Sequence, residues 1–162
     1  MARAEGAVLE AIRAALAATG ATWREVEHAP TRTSEESARA RGEPLEIGAK
    51  ALLVKADERF VLLVLSAARK LDSKKLRAAL GTRATRFATP EELLELTGLV
   101  PGSVPPFGEP ILAAPLHVDR SVVANERVAF NAGSLTLSVI VARADWQAAA
   151  RPQSVLDFSS QA

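Results

Sequence analysis

The sequence contains no cysteine. That removes a disulfide frame, a thiolate nucleophile and cysteine-ligated zinc, and it suits a reducing cytoplasm. Histidine is almost as scarce: His28 and His117 stand far apart, so no imidazole-built metal centre is expected. No apolar run approaches the ~18 residues that a membrane-spanning helix needs, so no membrane partner is expected. Met1 to Leu16 intersperses Arg3, Glu5, Glu10 and Arg13 among its apolar residues and so lacks the continuous apolar centre of a secretion signal. An excess of one charge is missing as well. With 20 Lys and Arg against 19 Asp and Glu, any contact with a nucleic acid must be a local patch. Also absent are a phosphate-binding glycine loop followed by Lys-Ser/Thr, a dinucleotide fingerprint, a Gly-x-Ser-x-Gly elbow and His-Glu-x-x-His. An enzyme built on this chain is expected to work without a standard nucleophile, a metal or another cofactor.

What is present is ordinary globular composition, 48% hydrophobic and 24% charged over 162 residues. A chain of this length buries roughly two thirds of the surface it exposes when unfolded. One domain over residues 1–162 is expected, with 151–162 as a C-terminal tail in which only Val155, Leu156 and Phe158 can dock. The centre of the pattern is Glu46 to Lys55, answered after Asp57-Glu58 by Arg59 to Leu65. Two apolar, β-branched-rich runs around a short polar turn read as a hairpin at the middle of a sheet, buried on one face or both. Lys50 stands at the mouth of the first run, before four apolar residues, at the boundary between core and cleft.

Around this hairpin the periodicities alternate. Val8, Ile12, Ala15 and Leu16 mark an amphipathic helix over Ala7 to Ala18, stopped at Thr19-Gly20. Trp23 to His28 reads as a short strand. Thr33-Ser34-Glu35-Glu36 is a capping-box pattern that starts a helix running to about Arg41, closed by Gly42. Asp72 or Ser73 caps a helix through Leu80, Arg83 to Ala88 reads as a strand, and Thr89-Pro90-Glu91-Glu92 opens a helix that ends at Thr97-Gly98. Leu99 to Pro110 then carries four prolines and two glycines, which excludes helix or inner strand and marks a stiff, packed loop. Ile111 to Val118, Arg127 to Asn131 and Leu135 to Ala142 read as strands, and Ala144 to Ala150 as a short helix. Strands that cluster rather than alternate with helices predict an α+β domain with a mixed, mainly antiparallel sheet.

Lys50 has two readings. A strand-end lysine can simply snorkel to water, or its partly desolvated ammonium can bind an anionic or carbonyl group of a ligand. The loop Gly102 to Pro106 and the turn Gly133-Ser134 can supply backbone amides that stabilise developing negative charge, or they can serve turn geometry alone. Arg69, Lys70, Lys74, Lys75, Arg77, Arg83 and Arg86 face Asp72 alone between positions 69 and 86. That is either a solvated helix face or a salt-sensitive grip on a nucleic acid. Asp119 reads as a cap or turn residue first and a site carboxylate second, and His28 as a strand-end residue or a site position.

The order of these motifs resembles the YbaK/ProX-type aminoacyl-tRNA deacylases, a family also found as the editing insertion of bacterial prolyl-tRNA synthetases. The resemblance rests on His28-x-x-Thr31-x-Thr33 with Glu35, Glu36 and Ala38, and on Gly48-x-Lys50 entering an apolar strand. Leu71-Asp72 with Lys75-Leu76 and Leu80-Gly81, Gly102-x-x-x-Pro106 with Phe107-Gly108, and Phe130-Asn131-Ala132-Gly133-Ser134 complete it. It implies a partly barrel-shaped sheet surrounded by helices, and a free-standing hydrolase that cleaves the ester between a mischarged amino acid and the terminal ribose of a tRNA. Water attacks in that mechanism, assisted by the substrate's own hydroxyls. Lys50 and Gly102 take the catalytic positions. His28, Thr31, Ser103, Val104, Pro105, Pro106, Phe107, Gly108, Asn131, Gly133 and Ser134 take the substrate-binding ones, and Arg69, Lys70, Lys74, Lys75 and Arg77 face the tRNA. The expected amino acid is small or polar: Ser, Thr, Ala or Cys. Alanine-editing members tend to carry His-Pro followed by Asn where this chain has Ala129-Phe130-Asn131, so alanine specificity does not transfer. The partners implied are tRNA and, as a further option, a synthetase, for a cytoplasmic monomer or homodimer. A non-catalytic module that binds aminoacyl-tRNA or a synthetase, and a hydrolase of small amino-acid esters, remain the alternatives.

Overall fold

The computed structural model of the chain describes residues 6–162; residues 1–5, part of the stretch read above as lacking a secretion signal, lie outside the described residues. Helix α1 (Ala7–Ala18) buries Val8, Ile12 and Leu16, the ridge set by their i, i+4 spacing. After strand β1 (Trp23–Glu27) comes helix α2 (Ser34–Arg41), opened by the expected capping box. Thr33 Oγ1 accepts the Glu36 amide at 3.2 Å and Glu36 Oε1 accepts the Thr33 amide at 3.1 Å. A 3-10 turn, Leu45–Ile47, which no periodicity announced, leads into β2 (Ala49–Ala56) and β3 (Arg59–Ser66). These strands form the expected hairpin, in antiparallel register from Ala49↔Ser66 to Ala56↔Arg59.

Further along lie β4 (Arg69–Leu71), α3 (Ser73–Leu80) with Asp72 as its cap, β5 (Thr85–Phe87) and α4 (Pro90–Thr97). The chain continues through β6 (Leu116–Asp119), the one-turn helix α5 (Arg120–Val123), β7 (Arg127–Asn131), β8 (Leu137–Ala142) and α6 (Arg143–Ala150). Strands β9 (Ser154–Leu156) and β10 (Ser159–Gln161) follow.

Two expectations are corrected. The strand expected from Ile111 begins only at Leu116, because the amides of Ile111 and Leu112 both turn back to the Gly108 carbonyl, while Pro110 and Pro115 have none to donate to a ladder. Residues 151–162 form strands β9 and β10 rather than a tail. The buried Asp119 carboxylate draws them in, accepting the Phe158 amide and the Ser159 hydroxyl at 2.7 Å each. Leu156 and Phe158 dock as expected, Phe158 fully buried, whereas Val155 is 48% exposed.

The strands form a five-stranded sheet in the order β5-β2-β3-β6-β9, a three-stranded sheet β1-β8-β7 and a two-stranded ribbon β10-β4. Only β3–β6 and β6–β9 run parallel, so the sheet is mixed and mainly antiparallel. The two larger sheets meet at a single bridge between Gly48 and Ala129, an open rather than closed barrel. Strand β3 is buried on both faces. Leu62 and Val64 join the cluster built by α1, Phe107, Phe130 and Trp146, while Leu63 and Leu65 join Leu76 and Phe158 on the other side.

Asp119 ties these parts together, and its ionisation makes the fold acid-sensitive. Burial favours the neutral carboxyl, but hydrogen bonds from Ser121, Phe158 and Ser159 outweigh it and hold the pKa below the usual range. A depressed folded value means that the charge stabilises the fold above the unfolded pKa of about 3.9, and that this contribution fades as pH falls through the folded value. We expect Asp119→Asn to cost about 1.5–3 kcal/mol at neutral pH and to flatten the loss of stability below about pH 4. Urea unfolding of both proteins across that range checks this.

Candidate active site

Strand β2 is paired with β3 along its whole length but with β5 only over Val54–Ala56. Its other edge at residues 49–52 has no strand partner among the described residues and forms one wall of a cleft of about 190 Å³. The opposite walls are the start of α2 with Arg32 and Thr33, the loop at Gly102 and Val104, and β7 at Ala129 and Asn131.

Lys50 lies on that open edge, half-buried, and its Nζ donates to the Arg69 carbonyl at 3.0 Å. Burial lowers its pKa below the ordinary lysine value, partly offset by the Glu35 carboxylate. Across the cleft, Arg41 is positioned by α2, whose spacing puts Ser37 and Arg41 on one face one turn apart. Its guanidinium donates to Ser138 Oγ at 2.8 Å and to Asn131 Oδ1 at 3.2 Å, both neutral acceptors. Partly buried and without a carboxylate partner among the described residues, it is pushed down by that burial to about 10, Glu43 offsetting little of it. The residues lining the cleft include three cations, Arg32, Arg41 and Lys50, and no Asp, Glu or His.

Asn131 links the walls. Its Nδ2 donates to the Gly102 carbonyl at 2.8 Å and approaches Thr31 Oγ1 at 3.4 Å, while its Oδ1 accepts from Arg41 and from Ser138. Thr31 in turn shares a 2.8 Å hydrogen bond with Ser37. Gly102 itself needs glycine: its φ is +88°, and a Cβ there would stand 3.3 Å from Leu135 and 3.4 Å from the Arg32 carbonyl. The Ser103 carbonyl accepts the Gly133 amide. The Gly102 and Val104 amides have no acceptor among the described residues and stand beside the cleft.

The structure thus brings Lys50, Gly102, Val104 and Asn131 to one cleft, with Thr31 directly behind it and His28 hydrogen-bonded at 2.8 Å to Ser138 in the next layer. It places other sequence-selected residues away from the lining. Ser103 closes its own turn onto Val100, and Pro105 is buried. Phe107 stacks edge-on against Phe130 in the core, and Pro106 accepts the Trp146 indole N–H. Gly108 lies against Ala114 and Leu116, Gly133 against Val8, and Ser134 bonds Thr136. Of the basic run, Lys70 and Lys74 are exposed and Arg77 half-exposed. Arg69 and Lys75 are turned onto β10, Arg69 to Ser159 Oγ and Lys75 to the Ser159 carbonyl and Asp157. Arg41, Ser37 and Ser138 escaped the sequence reading; the i, i+4 relation of Ser37 to Arg41 was the one signal available. Among the described residues no group of His, Cys, Asp and Glu could hold a metal ion, and no helix is long and apolar enough to cross a membrane.

Known proteins resemble this chain in sequence and fold. The chain is 37% identical over 150 residues to the multifunctional Ser/Thr-tRNA deacylase ProXp-y of Escherichia coli (strain K12), covering 88% of this chain and 87% of that protein. A proline–tRNA ligase of Shouchella clausii (strain KSM-K16) is 32% identical over 101 residues, 62% of this chain and 18% of the ligase. Among solved structures, a protein provisionally described as a trans-editing enzyme for prolyl tRNA synthetase superposes with a TM-score of 0.79 at 27% identity, over 97% of this chain and 99% of that one. The family model for the aminoacyl-tRNA editing domain matches residues 28–149, from His28 before α2 to the last turn of α6. With that match enclosing every wall of the cleft, the chain belongs to the aminoacyl-tRNA editing domain family.

Proposed function

We propose that this chain is a trans-acting aminoacyl-tRNA deacylase that hydrolyses the ester of a small, hydroxyl-bearing amino acid on the terminal ribose of a mischarged tRNA. The observation that carries the reading is the cleft itself: a desolvated lysine on an open strand edge faces a glycine loop with two unengaged amides. Such donors suit a tetrahedral intermediate, in which water adds to the ester carbonyl carbon and the carbonyl electron pair moves to oxygen. Collapse then breaks the bond to the ribose oxygen, which takes up the proton lost by water. No lining side chain is a carboxylate or imidazole, so the proton passes through the substrate's own hydroxyl. Lys50 orients the acceptor end, and the Gly102 and Val104 amides receive the oxyanion.

The choice of amino acid falls to the polar side of the cleft. Ser37, Asn131 and the remaining guanidinium N–H groups of Arg41 face space for a small side chain, and a site built to hydrogen-bond a hydroxyl discriminates against analogues that lack it. The Ser/Thr activity in the name of the E. coli relative supports the same assignment. The exposed Lys70 and Lys74 with Arg77 would contact tRNA phosphates. In this reading the protein works in the cytoplasm, where docking to a synthetase would present the substrate.

Four outcomes are expected. Lys50→Ala loses at least about 100-fold in kcat on seryl- or threonyl-tRNA. Because the ammonium acts in its charged form, wild-type activity, corrected for spontaneous hydrolysis, is present below the Lys50 pKa and fades below the usual lysine range of about 10.4 as pH rises; retained activity in Lys50→Ala would sink the reading. Arg41→Met lowers seryl relative to alanyl turnover by about 10- to 100-fold, a hydrogen bond to a charged group being at stake; paired single-turnover assays read the ratio. Lys70→Ala/Lys74→Ala raises KM for tRNA and makes the log–log slope of KM against salt shallower by about 1–2, one per phosphate contact removed.

A further inference from the structure

Resting on the reading of Lys50 as the functional cation, we propose that strand β10 is its positioning element, acting through Asp119, Ser159 and the backbone of Arg69. The Arg69 carbonyl is the one hydrogen-bond acceptor of the Lys50 ammonium among the described residues. Arg69 belongs to β4, and β4 has a single strand partner, β10, in the register Ser159↔Leu71 to Gln161↔Arg69. Together with the turn from β3, whatever fixes β10 therefore helps to fix the direction of that carbonyl.

Several interactions fix it. Asp119, fully buried at the end of β6, accepts the Phe158 amide through one oxygen and the Ser159 hydroxyl through the other, both at 2.7 Å. Ser159 Oγ accepts Arg69 Nε at 2.7 Å, and the Ser159 carbonyl accepts Arg69 NH2 at 3.2 Å and Lys75 Nζ at 2.9 Å. Phe158 seals the strand against Leu63, Leu65 and Leu76. A relay thus runs from a buried carboxylate through a hydroxyl to the Arg69 side chain, and from the same residue's carbonyl to Lys50. It leaves two N–H groups of Lys50 for a ligand. Arg69 and Lys75, which look from sequence like tRNA contacts, are committed to this clamp.

The charged groups facing Lys50 are Glu35 and Arg41 from α2, Arg32 before it, and the Arg69 guanidinium of β4, turned toward Ser159. Loosening β10 leaves the first three in place and changes chiefly the solvation of the ammonium. Burial lowers the Lys50 pKa while the Arg69 carbonyl, accepting from the ammonium, favours its charged form, so release of the clamp shifts the Lys50 titration away from the wild-type position.

The experiment compares wild type, Ser159→Ala, Ser159→Thr, Asp119→Asn and, as a control on an exposed position of the same strand, Gln161→Ala. Two readouts are taken: steady-state deacylation against pH, and the titration of Lys50 Nζ by NMR of protein labelled with 15N-lysine, the signal assigned with Lys50→Arg. In Ser159→Ala we expect kcat to fall by about tenfold with KM for the acylated tRNA nearly unchanged. The alkaline limb of activity and the Lys50 titration should both move from their wild-type positions, and in the same direction. Ser159→Thr, which keeps the hydroxyl, should restore both, and Gln161→Ala should match wild type. If Asp119→Asn does not fold, Ser159→Ala decides alone. A Ser159→Ala protein that is less stable yet shows the wild-type Lys50 titration has lost only a structural contact, and the proposal is overturned. If instead Lys50→Ala keeps full turnover, the catalytic reading fails, while the NMR titration still decides whether β10 sets the surroundings of Lys50.

Discussion

The two-sided burial of β3 is the constraint from which the rest of the structure follows. Leu62 and Val64 on one face and Leu63 and Leu65 on the other are almost entirely removed from water. Fully burying four such side chains stabilises the fold by about 6–12 kcal/mol before chain entropy is counted. Strand β3 therefore has layers on both faces and neighbours on both edges, β2 and β6. Its partner β2 is less enclosed, because the short β5 covers only residues 54–56. The open remainder is where the cleft forms, beside the strand that is most fully enclosed.

Around that edge the charges are arranged unusually for a protein whose totals nearly cancel. Arg32, Arg41 and Lys50 face one small cleft with no carboxylate among its lining residues. Elsewhere several acidic residues are engaged in ion pairs: Glu43 bridges Arg24 and Arg127, Glu25 holds Arg13, and Glu92 holds Arg86. Partly buried cations held by neutral acceptors keep an unmet demand for negative charge or strong acceptors. In the proposed reaction, an ester carbonyl turning into an oxyanion beside a phosphodiester would meet that demand.

Much of the frame was legible in local signals. The capping box at Thr33/Glu36 formed as read, and Thr89 opened α4 as read, there also closing a box with Glu92, since a cap depends on residues three apart and on nothing distant. The central hairpin and Lys50 at its mouth were legible for the same reason. Strands β4, β9 and β10, three residues each, were not, because so short a run carries no period and forms only when a distant carboxylate and a distant edge are present. The Gly102 to Gly108 loop shows both sides. Its rigidity followed from proline content, yet which of its residues line the cleft depended on Phe107 inserting against Phe130 and on Asn131 capturing the Gly102 carbonyl.

By itself, then, the amino-acid order determined the helices with their caps, the hairpin, the stiff loop and the motif set that marks the family. Those rest on neighbours in sequence and on the hydrophobic period. Only the tertiary structure decided that Arg41 turns inward beside Asn131 and that Arg69 and Lys75 turn toward Ser159. It alone closed the cleft between residues as far apart as Arg32 and Asn131. A long basic side chain on a short element has no local preference for solvent or cleft. Its direction is chosen by whichever acceptors the folded chain brings within hydrogen-bond reach.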